Sequence, residues 1–206
     1  MALGLLGIVL GLLGCESGNG GSGQCGGASD SDSCVRIDKI EPTYMGQMSS
    51  NVDAMRDICI PDNPATLTDE TVLEPFADHN VIVTISNAPL PGFGPIADAS
   101  VTLQDFSISY SLNSCPASPI GCPHLDTLRV VPGQTVTIPP RSSVAITLPF
   151  VPLAKKLEYL SIGGGLLAYP SYTATYIIAG TDAFNNPVSV RGSAQFTIGS
   201  SAFCPK

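Results

Sequence analysis

The sequence predicts an all-β protein, built as a two-sheet antiparallel sandwich with one short helix. Three observations carry that prediction. Charged residues make up only 13% of the chain, with 21 Gly and 18 Pro among 206 residues, a balance that favours short strands and turns over helices, which draw on Ala, Leu, Glu and Lys. Apolar and polar residues alternate with a period of two over several segments, the pattern of half-buried strands. Between those segments fall clusters of Gly, Pro, Asn and Asp, which supply turns. Hydrophobic residues at 44% give a chain of this length enough material for a real core, and no internal repeat divides it into two sandwiches.

The first fourteen residues, MALGLLGIVLGLLG, are apolar and uncharged. The run is too short to span a bilayer as a helix and suits the apolar region of a signal peptide. It stops at Cys15 and gives way to Gly, Ser and Asn in ESGNGGSGQCGGASDSDS, residues 16 to 33. Such a segment buries too little apolar surface to offset its ordering entropy and reads as a flexible tether. Leu12, Leu13, Gly14 and Cys15 together resemble the lipobox of bacterial lipoproteins. The resemblance implies that residues 1–14 are a cleaved signal, that Cys15 carries diacylglycerol and a further acyl chain, and that residues 15–34 tether a folded domain over 35–206. Two or three acyl chains on one residue exceed what stable membrane anchoring needs. Glu16, in place of the aspartate that in some bacteria marks retention in the inner membrane, makes the resemblance imply the outer membrane, on its periplasmic or surface face.

Within the domain, VIVTISN (81–87), VTLQDFSISY (101–110) and SVAITLPF (143–150) alternate as strands, the last with Val144, Ile146, Leu148 and Phe150 as its buried set. Weaker strands are expected at Val35 to Ile40, within Val52 to Ile60, and at Leu128 to Ile138, broken by Pro132 and Gly133. PLAKKLEYLSI (152–162) predicts the helix, with Leu153, Leu157 and Leu160 at helical spacing, Pro152 in the first turn and three glycines, 163–165, at its end. YTATYIIAG puts Tyr172, Ala174, Tyr176 and Ile178 on one side. VSVRGSAQFTI does the same with Val188, Val190, Ala194, Phe196 and Ile198. The intervening TDAFNNP makes the two an antiparallel hairpin.

That hairpin resembles the last two strands of an immunoglobulin-like or fibronectin type III domain. Tyr176 lies two residues before Ile178, the offset at which a tyrosine corner sets its tyrosine from the second sheet cysteine. The chain has no Trp and no cysteine pair at the antibody spacing, so the resemblance implies an Ig-like sandwich and not an antibody-type domain. The strand count alone also fits a jelly roll or another Greek-key sandwich.

Export places the other six cysteines, Cys25, Cys34, Cys59, Cys115, Cys122 and Cys204, where disulfides form. Sequence alone does not choose the connectivity. Cys115 with Cys122, across CPASPIGC, is the expected local pair; Cys59 with Cys204 and Cys25 with Cys34 are the expected others. Cys115, Cys122 and His124 are also conceivable zinc ligands, but their spacing follows no common zinc pattern.

A net charge of −8 and an isoelectric point near 4.4 argue against nucleic acid and against an anionic lipid surface, both of which need clustered basic residues. The two histidines, His79 and His124, stand near a strand start and in a loop, and no nucleophile, phosphate-loop or metalloprotease motif accompanies them. Calcium candidates are Asp62, Asp69 and Glu70 in PDNPATLTDE, and Asp182 beside Asn185 and Asn186. These are also ordinary turn residues, so no metal or cofactor is assigned. Phe93, between glycines in PLPGFGPIADAS, is read as folded over a sheet edge, with a partner contact as the other reading. The expectation is a non-catalytic, lipid-anchored envelope module that is structural or binds a protein partner. A calcium- or carbohydrate-binding module on the envelope is the alternative.

Overall fold

The computed structural model of the chain describes residues 33–54, 58–59, 72–73, 76–89, 99–116, 122–130, 135–161 and 169–199. The expected signal segment, Cys15, Cys25, Asp62, Asp69, Glu70, Phe93, the glycines at 163–165 and Cys204 lie outside the described residues. The elements in chain order are β1 (Ser33–Tyr44), β2 (Gln47–Met48), β3 (Asn51–Asp53), β4 (Ile58–Cys59), β5 (Val72–Leu73), β6 (His79–Pro89), β7 (Val101–Ser114), β8 (Leu128–Val130), β9 (Val136–Ile138), β10 (Ser142–Val151), α1 (Leu153–Ser161), β11 (Ser171–Asp182) and β12 (Pro187–Gly199).

Two sheets pack into a sandwich. The first has the order β10-β6-β1-β2 and the second β3-β12-β11-β7-β8, with β9 also paired to β7; β4 and β5 form a separate pair. Strands β1, β6 and β10 against β7, β11 and β12 reproduce the A-B-E and C-F-G order of an immunoglobulin-type sandwich. All pairings are antiparallel except β3 with β12, which is parallel. Strand β1, expected only from Val35 to Ile40, begins at Ser33 and runs to Tyr44. The weak segments after it resolve into short pieces, β3 and β4 in one place and β8 and β9 in the other.

The period-two pattern sets the core. Val188, Val190, Ala194, Phe196 and Ile198 of β12 face Tyr172, Ala174, Tyr176 and Ile178 of β11 on the buried side, with Val81, Val83 and Ile85 of β6 opposite. Of the expected set in β10, Leu148 and Phe150 are buried, joined by Val151, while Val144 and Ile146 pack partly exposed near the strand's start. Strand β7 changes phase once: Gln104 and Asp105 are both exposed, and the register to β11 shifts between Ala179 and Gly180. Gly180 is required at this bulge, because a Cβ there would collide with the Thr102 carbonyl.

Three tyrosines bind the sandwich through its backbone. Tyr110 donates to the Phe150 carbonyl at 2.7 Å, Tyr172 to the Pro123 carbonyl at 2.7 Å, and Tyr176 to the Pro149 carbonyl at 2.8 Å. Tyr176 thus makes the upstream backbone bond that a tyrosine corner implies, but reaches back to β10, because α1 occupies the connection between β10 and β11. Burial raises all three phenols above their ordinary range, so they remain donors at any physiological pH.

Helix α1 forms where expected. Lys156 and Tyr159 are buried, whereas Leu157 is 52% exposed. Leu160 packs partly buried against the core, and the helix lies over aromatic rings that accept the Lys156 stem and its charge.

Candidate functional site

A buried histidine and a buried lysine lie together at the end of the sandwich where β1 finishes and β6 begins. Strand alternation turns His79, the first residue of β6, inward. Its ring stacks on Tyr44 at 5.1 Å between centroids and tilts against Phe150 at 5.6 Å. Phe150 meets Phe196, which stacks on Tyr172, so an aromatic row runs from this end into the centre of the molecule. His79 Nε2 donates to the Ser49 carbonyl at 2.8 Å. A carbonyl can only accept, so the proton sits on Nε2, and Nδ1 is a lone-pair site with no hydrogen-bond partner among the described residues.

Burial holds the His79 pKa down at about 4; the Ser49 bond acts the other way, and the Lys156 charge lowers it further. Lys156 places Nζ 4.6 Å from the Tyr44 ring centroid and 5.0 Å from that of Phe76. Asp78, which precedes His79, accepts from Leu153 N at 2.7 Å and thereby caps the first turn of α1. The histidine is neutral, enclosed and tied to the backbone. Its ring is fully buried at this end of the sandwich.

The sequence marked His79 but gave no sign of Lys156 beside it. A lysine at helical spacing among leucines reads as a solvated position, and only the packing of α1 over Tyr44 reveals it as buried.

The remaining expected sites are dispersed. Cys115 and Cys122 form a disulfide, as the loop between them suggested, and this rules them out as zinc ligands. His124 is exposed nearby. Cys34 is disulfide-bonded and buried; of Cys59 only the backbone, in β4, is described. Asp182 lies at the β11–β12 turn with its carboxylate used locally: Oδ1 accepts from Phe184 N and Asn186 N, each at 2.8 Å, and Oδ2 from Asn186 Nδ2 at 2.9 Å. Among the described residues no three His, Cys, Asp or Glu side chains are grouped to hold a metal ion, and no helix is long and apolar enough to cross a membrane.

Two shallow grooves lie on the surface of the described residues. One, about 330 Å³, lies on the outer face of the second sheet beside Asp105, Ser107, Arg129 and Ile177. The other, about 540 Å³, crosses the first sheet beside Arg36, Ser86, Arg141 and Ser143. In the first, Arg129 is paired with Asp105 at 3.3 Å; in the second, Arg36 is paired with Asp38 at 2.7 Å. Compared with protein-family models, with curated proteins and with solved structures, the chain matches none.

Proposed function

We propose that the protein is a non-catalytic, lipid-anchored module of a bacterial cell envelope, held by acyl chains on Cys15 and acting as a structural or protein-interaction component. One observation carries the reading: an apolar run ending in Leu-Leu-Gly-Cys stands a short polar stretch, residues 16 to 32, ahead of the first strand of a finished sandwich. That order is what an exported domain on a lipid leash requires.

The distribution of chemistry supports the same reading. His79 and Asp182, two described residues suited by type to catalysis or metal binding, serve the fold itself. The strand edges, by contrast, differ in a way that suits contact with another chain. On the outer side of β1 stands the charged Lys39, which discourages edge pairing; a proline and a register shift occur in both strands, with Pro42 in β1 and Pro149 in β10. Strand β10 ends the same sheet on its other side and carries no charged residue from Ser142 to Val151. An extended segment of an envelope partner would find its backbone groups there.

The anchor is tested by detergent phase partitioning. The wild type is expected in the detergent phase and Cys15→Ser in the aqueous phase. A wild type already in the aqueous phase defeats the reading.

A further inference from the structure

The sandwich has two dissimilar ends, and the topology decides which one adjoins the leash. Strand β1 begins at Ser33, opposite Pro89 at the end of β6. Val35 pairs with Asn87, whose Nδ2 donates to the Ile138 carbonyl at 3.2 Å; Ile138 pairs with Val101, and Val101 with Asp182. A continuous line of contacts therefore joins the start of β1 to the tip of the β11–β12 hairpin. His79, Met48 and α1 lie at the other end, roughly 35 to 40 Å away along a twelve-residue strand.

The hairpin tip next to the leash carries Phe184, 62% exposed. It is held in a fixed turn: Asn185 N donates to the Asp182 carbonyl at 3.0 Å, Asp182 N to the Asn186 carbonyl at 2.9 Å, and Asn185 takes φ 65°. This is a three-residue hairpin loop with its third residue left-handed. The buried Asp182 carboxylate ties the loop from beneath. From Ala183 to Pro187 there is no charge. A rigid, uncharged tip with an outward phenylalanine contributes nothing to the core.

Resting on the lipid-anchor reading, we infer that this tip is a membrane contact: Phe184 seats in the headgroup region of the bilayer that holds Cys15, and so orients the sandwich with its His79 end outward. Residues 16 to 32 are rich in Gly and Ser; read as a flexible leash, a chain of that length would span about 23 Å r.m.s.. That is enough to bring the near end to the surface and too little to favour the far one. Tethering also holds the tip at an effective concentration on the order of millimolar, so a contact too weak to recruit a free protein still orients an anchored one. The net charge of −8 points to a zwitterionic surface, reached by apolar insertion.

The chain has no Trp, so a single introduced indole reports its surroundings alone. Full-length acylated protein on phosphatidylcholine vesicles, prepared as Phe184→Trp and separately as Met48→Trp, is read by emission and by quenching with phospholipids brominated high on the acyl chain. Blue-shifted emission from F184W, with quenching at least threefold that of M48W, is the expected result. Equal or reversed quenching, in protein that floats with the vesicles, overturns the orientation and leaves the anchor standing. Protein that does not float overturns the anchor and this inference with it.

Discussion

His79 shows how a residue that looks like chemistry can be committed to structure. Its imidazole is enclosed among Tyr44 and Phe150, with one nitrogen bonded to Ser49 and a cationic Lys156 nearby. Its pKa falls from the ordinary 6.5 to about 4, so in acid the unfolded chain takes up a proton that the native state refuses. The contribution of His79 to stability is therefore complete above pH 6.5 and is lost as pH falls toward 4, by up to about 3 kcal/mol. Urea titrations of the wild type and of His79→Gln across this range test the assignment. Gln retains an amide donor for Ser49 without titrating, so the difference between the two proteins should change through that window. Parallel curves from pH 7 to 4 would refute the assignment.

At the scale of elements, register and bulges depend on a few positions where a side chain cannot fit or a turn demands a special backbone. Gly180→Ala drives a Cβ into the Thr102 carbonyl at the β7–β11 bulge, and should cost about 3 kcal/mol or more. Gly46 lies in the β1–β2 turn at φ 79° with open space around it. Gly46→Ala meets only the left-handed penalty, about 1 to 2 kcal/mol. Chemical denaturation of both variants should rank them in that order, and equal losses would contradict the bulge. The long strands were legible in the sequence because their inward sets, such as Val188, Val190, Phe196 and Ile198, repeat every second residue. The turn TDAFNNP was legible because Asn185 and its neighbours tolerate the required backbone. Strand β1 was underestimated because Asp38, Lys39 and Pro42 interrupt the alternation where the bulge falls. Helix α1 is legible in the leucine spacing, but that spacing does not reveal Lys156 and Tyr159 as its buried residues. Lys156 is buried for a reason held in tertiary structure, the rings of Tyr44 and Phe76, and Asp78 caps the helix from a distant point in the chain.

At the scale of the whole molecule, the protein is a polar object with direction. One end holds the start of β1, where the proposed leash would join, and presents Phe184; the other is closed by α1, His79 and the aromatic row. The Ig-type strand order puts the β6–β7 and β11–β12 connections at the leash end and the Cys115–Cys122 loop at the far end. In the proposed arrangement, a body on such a link would present its far end outward, with the uncharged β10 edge along its side. All of this orientation depends on covalent lipid at Cys15. Intact mass and N-terminal peptide analysis of the mature protein tests it most directly. The account predicts a chain that starts at Cys15 and carries the mass of a diacylglyceryl thioether with a further acyl group. A mature chain that retains residues 1–14, or bears an unmodified Cys15, would contradict it.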